Sequence, residues 1–307
     1  MPARHIIEAL ERDAPLPDGA GDRFSGYAIV GLPFRSGHVL ALRRFPASSI
    51  GPGYTAVWHR DPSGRWTFYP TVPPEVSCAR YFGGAVERNV VTPVDIAWLD
   101  SMSFTVFVGT AMRWHVTLGA SFATRLLNTL AGVIPEHAWK KPEVLRLTGV
   151  AARTTLGAGR LNLTGLTPNG YRFIGVPRRW WSIESSHAVV DGVSLGAAGP
   201  LVNQASLGDF LLPQRGLFAV AQTRFELSPS PAGAYGSRAE SGECPASIAR
   251  ADRDISDLSP QGVARWDNRT DGANPERPRQ DRGPLKGGGA SKDGHSDCGE
   301  THQGDTR

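Results

Sequence analysis

The chain of 307 residues is short of apolar side chains, which make up 40% of it, against ~45–50% in ordinary globular domains. The shortfall sits after Glu226, where apolar periodicity stops. Cysteine is scarce too: Cys78, Cys244 and Cys298 supply neither a disulfide framework nor a CxxC metal pair. Lysine is confined to Lys140, Lys141, Lys286 and Lys292, so nearly every other positive charge is arginine. No run approaches the ~18 apolar residues of a membrane span. The first 23 residues alternate charge where a secretory signal would be apolar, so a cytoplasmic location is expected.

Several chemistries are missing as well. His38, His59, His115, His137 and His187 are scattered without HxH or HExxH spacing, so no metal is expected. There is no GxSxG nucleophile elbow and no phosphate loop, and no cofactor is expected. The chain carries 33 basic and 29 acidic residues. With 11 and 13 of these in 228–307, the part before it keeps 22 and 16, a formal +6. That charge could attract an anion. It contains no block of five or six like charges, which argues against a nucleic-acid partner.

What is present is β-type patterning. After a helical pattern at His5–Leu10 and a Pro/Gly linker, short apolar runs follow at 27–32, 38–45, 54–60, 65–69, 90–99, 103–108 and 113–118, as in a sandwich or barrel. Asp61-Pro62-Ser63-Gly64 marks a hairpin, with a proline for fixed φ and a glycine for φ > 0. Ser121 can cap a helix carrying Phe122, Leu126 and Leu130, stopped near Gly132, and a second helix begins at Pro142. Asn169-Gly170 predicts a type I′ hairpin between Leu166 and Tyr171, and 217–225 reads as a last alternating strand. The stretch 196–215 reads as a long loop over a cavity mouth. Beyond it, 228–307 is rich in Gly, Pro, Ser, Asp and Arg and cannot offset an ordering cost of ~1–2 kcal/mol per residue.

The expected architecture is mainly β (α+β). It has a lead-in helix and linker over 1–22, a β lobe over 23–120, a helical connector over 121–153, a second β lobe over 154–227, and a disordered tail over 228–307. Two antiparallel lobes of this kind, barrel or sandwich and lipocalin-like in character, commonly enclose a cavity.

Three sets of residues carry candidate chemistry. Arg178-Arg179-Trp180-Trp181 offers cation–π and guanidinium contacts to an apolar or aromatic small molecule; strand alternation sends Arg178 and Trp180 to one face and Arg179 and Trp181 to the other. Ser186-His187-Ala188-Val189-Val190-Asp191-Gly192 is similar to the HHxxxDG motif of CoA-dependent acyltransferases and peptide-synthetase condensation domains, with Ser186 in place of the first histidine. That resemblance implies a general base at His187 and an orienting Asp191; the alternative is an Asp191-Gly192 turn after a strand. Lys140-Lys141 resembles the lysine pair of the acetoacetate decarboxylases, which implies a Schiff-base lysine, with Pro142 after the pair instead of before it. The alternative is a solvated pair at a helix end. The leading reading is a protein that binds, or transforms, a small apolar or aromatic ligand in a β-lined cavity. Acyltransferase, Schiff-base lyase and structural or interaction roles stand beside it, and the oligomeric state is left open.

Overall fold

Helix α1 (Ala3–Arg12) precedes strands β1 (Asp22–Pro33), β2 (Val39–Ser48), β3 (Tyr54–Arg60) and β4 (Trp66–Pro70). The short helix α2 (Ala79–Phe82) leads to β5 (Arg88–Asn89), β6 (Val94–Trp98), β7 (Ser103–Val108) and β8 (Met112–Gly119). Helices α3 (Phe122–Val133) and α4 (Pro142–Leu156) follow. The chain then runs through β9 (Thr164–Leu166), β10 (Tyr171–Val190), β11 (Val193–Ser194), β12 (Ser206–Leu207), β13 (Phe210–Leu211) and β14 (Leu217–Leu227). This computed structural model describes residues 2–228 except 136, 137 and 140; the expected disordered tail, from 229 on, lies outside the described residues. Among the described residues no helix is long and apolar enough to cross a membrane.

The mainly β expectation holds. Strands from both predicted lobes share one curled sheet, in the order β5-β4-β3-β2-β1-β14-β10-β8-β7-β6, with β9 and β11 also on β10. The last strand, β14, lies antiparallel between β1 and β10. The helical connector joins β8 to the β9–β10 hairpin.

Strand alternation sorts the apolar residues onto two faces. Tyr27, Ile29, Leu42, Val57, Phe218 and Trp181 join β6–β8 residues such as Val106, Trp114 and Val116 in the larger core. There β3 meets β6 across the curl. Helix α1 closes this core with Ala3 and Ile7. Its Glu11 accepts from Tyr27 Oη at 2.9 Å and from Arg44 Nε and Nη2 at 3.0 and 2.7 Å. The opposite face carries Phe24, Phe45, Tyr54, Trp58, Phe68 and Phe225, covered by α2 and the β12–β13 hairpin. The helical connector covers Trp180 and Ala219 with Leu127, Trp139 and Leu145.

Local chemistry fixes the turns. Ser121 Oγ accepts from Thr124 N–H at 3.2 Å and caps α3, and Gly157 at φ 60° ends α4, which runs a turn further than Arg153. The Asp61–Gly64 turn forms as expected, with Gly64 at φ 95° donating to the Asp61 carbonyl at 3.0 Å. The Asn169-Gly170 hairpin also forms, but its turn differs. Gly170 N–H donates to the Thr167 carbonyl at 3.0 Å, Gly170 has φ 79°, and Asn169 does not have positive φ. Pro168 explains this: its fixed φ suits the first central position of a type I turn, and it has no N–H for the closing pair of a two-residue loop. The type I′ turn is instead at Asp191-Gly192, with φ 48° and 79°, between β10 and β11.

His38 and His59 stack at 5.1 Å between ring centres, with Nδ1 of the first 2.9 Å from Nε2 of the second. Burial first, then His38, lowers His59 to about 4, and burial lowers His38 as well. An unfolded chain therefore takes up protons that the folded protein refuses between about pH 6.5 and 4, so stability falls as the pH drops through that window. After discounting for partial exposure, urea titrations near pH 7 and near pH 4.5 should differ by about 2 kcal/mol, and His59→Asn should shrink the difference.

Glycine makes a second, steric prediction. A Cβ on Gly26 would collide with the Arg44 carbonyl of the neighbouring strand, whereas one on Gly192 meets nothing and only the positive φ opposes it. Gly192→Ala should cost about 1 kcal/mol and Gly26→Ala at least about twice that in thermal unfolding.

Candidate functional site

A cavity of about 90 Å³ opens on the second face of the sheet, at its centre. Its floor is built from the smallest residues of the three middle strands: Gly26 and Ala28 of β1, Ala219 and Ala221 of β14, and Gly175 of β10. Its walls are aromatic, with Phe45, Trp58, Phe82, Phe173, Trp180 and Phe210 among them. Leu161, Asn162 and Leu163 border one side and Cys78 the other. The 196–215 stretch, read as a loop over a cavity mouth, contributes Phe210 through the β12–β13 hairpin.

Among the described residues one charged side chain lines this cavity. Arg43 is 6% exposed, on the apolar series Val39, Ala41, Arg43 and Phe45 of β2. Its Nη1 donates to the carbonyls of Ile29 at 2.6 Å and Leu42 at 2.9 Å, and its Nη2 donates to that of Val30 at 3.1 Å. The guanidinium carbon lies 4.4 Å from the centre of the Trp58 ring and 5.4 Å from that of Phe210. Burial lowers Arg43 to about 10, with Cys78 and Tyr54 opposing, so it stays cationic at neutral pH. Among the described residues no aspartate or glutamate lines the cavity.

The other polar groups in the lining are uncharged, among them Asn162, Thr223 and Cys78. Trp58 is 1% exposed, and its Nε1–H faces the Cys78 thiol, outside the limits of a regular hydrogen bond but close enough to favour the thiolate. Tyr54 Oη and Cys78 Sγ lie 3.2 Å apart, and burial pushes the Cys78 thiol up. Arg43 uses three of its five N–H groups on carbonyls. One N–H is left on Nε and one on Nη2, and a charge-assisted hydrogen bond to a carboxylate can use them.

The sequence-predicted residues are only partly brought together. Trp180 lines the cavity, while Trp181 packs on the other face beside Phe218, 5.8 Å between ring centres. Alternation would set them apart in this way, and the β-bulge between Pro177 and Arg179 fixes which one turns to the cavity. Asn128 of α3 accepts from Trp180 N–H at 2.8 Å and donates to its carbonyl at 3.0 Å, standing in for a neighbouring strand. Arg178 donates to Gln222 at 2.7 Å, and Arg179 is exposed; neither lines the cavity. His187 is exposed on β10 opposite His115 of β8, and Asp191 forms the type I′ turn, its N–H donating to the Ala111 carbonyl at 2.8 Å. Both lie away from the cavity lining. Lys141 is the exposed N-cap of α4, and Lys140 lies outside the described residues.

Arg43, Cys78 and Phe210 were not singled out from the sequence. A signal for Arg43 existed: it is a charge in register with three apolar residues of a strand.

No family model matches the chain, and no curated protein matches it. Solved structures of two acetoacetate decarboxylases are similar in part. One, from Legionella pneumophila subsp. pneumophila str. Philadelphia 1, shares 10% identity over 72% of this chain and 93% of that one, with a TM-score of 0.31. A second acetoacetate decarboxylase shares 10% identity over 69% of this chain and 89% of that one, with a TM-score of 0.33.

The burial of Cys78 has a direct consequence. With the thiol buried and its ionisation disfavoured, iodoacetamide near pH 8 should leave the Cys78 peptide unlabelled in folded protein and label it fully in denaturant, read by mass spectrometry.

Proposed function

We propose that this protein binds a small carboxylic acid with an apolar or aromatic body in the cavity at the centre of its sheet. One observation supports this reading above the others: a cationic Arg43 with two unused N–H groups sits in an apolar cavity that, among the described residues, no carboxylate lines. A buried charge without an opposite partner costs several kcal/mol. A ligand carboxylate would offset that cost. The aromatic walls, Trp180 among them, would take the apolar body.

Size narrows the class. At roughly 10–15 Å³ per water-sized site, 90 Å³ corresponds to about six to nine non-hydrogen atoms, a short-chain or single-ring acid. Titration calorimetry should show benzoate binding and benzamide, its neutral analogue, binding at least about tenfold more weakly, since a charge-assisted hydrogen bond contributes about 1.5–3 kcal/mol. Arg43→Met keeps the side chain's length and apolar packing and should abolish the preference for the acid. Trp180→Phe should weaken both ligands. Equal affinity for acid and amide, or benzoate binding untouched by Arg43→Met, would refute the carboxylate role, and absence of any binding would refute the cavity as a ligand site.

A further inference from the structure

A second concave site lies beyond the strip Leu161–Leu163, on the side away from Arg43. Its volume is about 610 Å³, and four arginines line it: Arg146 and Arg153 of α4, Arg160 of the segment after it, and Arg172 of β10. The fold gathers them for local reasons. Arg146 and Arg153 are seven residues apart, two helical turns, and so share one face of α4. Gly149 lies between them on that face, where any Cβ would press on the Leu161 carbonyl, so the helix lies close against the strip. Gly157, at φ 60°, turns the chain back and brings Arg160 alongside. The β9–β10 hairpin presents Arg172 from the far wall.

These guanidinium groups have no ion pair and no side-chain hydrogen bond among the described residues. Some surface arginines elsewhere are paired, as in Arg4–Glu8, Arg44–Glu11, Arg65–Asp61 and Arg80–Asp22; what distinguishes these four is that they line one concavity. The one acid in the cleft is Asp209, and its Oδ2 accepts from Leu166 N–H at 2.8 Å. Four cations and one anion leave a net charge of three positive units facing one concavity, beside apolar Leu161, Leu163 and Val150.

We propose that this cleft binds the diphosphate group of a small organic phosphate ester. A single carboxylate carries one charge and two acceptor oxygens and matches four forked donors poorly. A diphosphate ester carries two to three negative charges and acceptors on both phosphorus atoms, which suits guanidinium groups arriving from three elements. The leucines and Val150 would receive the organic part. The site is independent of the carboxylate cavity, although the two share Leu161–Leu163 as a wall.

The test is calorimetry on the full chain with inorganic pyrophosphate, ADP, geranyl diphosphate and, at matched ionic strength, sulfate. Pyrophosphate should bind at least about tenfold more tightly than sulfate. Gain from the adenosine or from the geranyl group then tells a nucleotide source from a prenyl one. Arg146→Gln combined with Arg153→Gln should weaken pyrophosphate by at least about tenfold, and Arg172→Lys, which keeps the charge but loses the fork, by less. All three positions are exposed, so the variants should keep the wild-type melting temperature. Arg43→Met should leave pyrophosphate binding unchanged, which separates this site from the cavity. Pyrophosphate binding no tighter than sulfate, or unaffected by the paired Gln substitutions, would overturn the proposal. So would a short single-stranded oligonucleotide that outcompetes pyrophosphate, since it would mark a nucleic-acid face instead.

Discussion

Everything in this fold depends on the C-terminal strand β14 finding its place between β1 and β10. The first and last of the described strands meet there, in a ladder from Asp22↔Phe225 to Gly31↔Leu217. The other strands of that sheet attach outward from the triplet, while β12 and β13 pair with each other. The pairing also makes the cavity, because glycine and alanine recur on one face of all three strands while aromatic residues stand around them. Larger side chains at Ala28, Ala219 or Ala221 would fill the space, whereas at Gly26 even a Cβ would press on the Arg44 carbonyl of β2. The central strands therefore set both the fold and the volume available to a ligand.

Arg43 is supported by the same strands through their irregularities. The register of β1 slips against β2 between Ile29 and Leu32, and against β14 between Ile29 and Gly31. Ladder carbonyls left over at such a bulge must find other donors. Those of Ile29 and Val30 find the guanidinium of Arg43. A distortion in one strand thus meets a charge on the next, and each relieves a cost the other would carry alone. What remains unmet is the net positive charge itself, because carbonyl dipoles solvate a cation without neutralising it.

Much of the fold was legible in the sequence, since period-two alternation in β2, β3, β8 and β14 reads directly as strands and the Asp61–Gly64 turn names its own geometry. The sheet order was not, because nothing local says that β14 pairs with β1 across the whole chain. Pro168 was visible, yet its consequence for the Asn169-Gly170 turn needs the closing hydrogen bonds to be counted. Trp180 and Trp181 were separable by alternation; the bulge that decides which one meets the cavity was not. The Arg43-Arg44 pair divides in the same way, one to the cavity and one to Glu11 of α1. Phe210 could not have been found, because it reaches the cavity from a two-residue strand in a loop.

The two arginine environments obey different electrostatics, and this bears on what each could recognise. Arg43 lies in a small apolar space where solvent screening is weak, so one charge has a large effect and shape decides which molecule can approach it. The four arginines of the cleft are exposed, and salt with a screening length of about 8–10 Å reduces each of them to a modest contribution. Only their sum can hold an anion there, which requires a ligand with several charges. A monovalent acid too large for the cavity gains little from the cleft, and a diphosphate is too highly charged to lose its water in the cavity. On the two proposals, the strip Leu161–Leu163 between them would separate two selectivities, one set by desolvation and the other by valence.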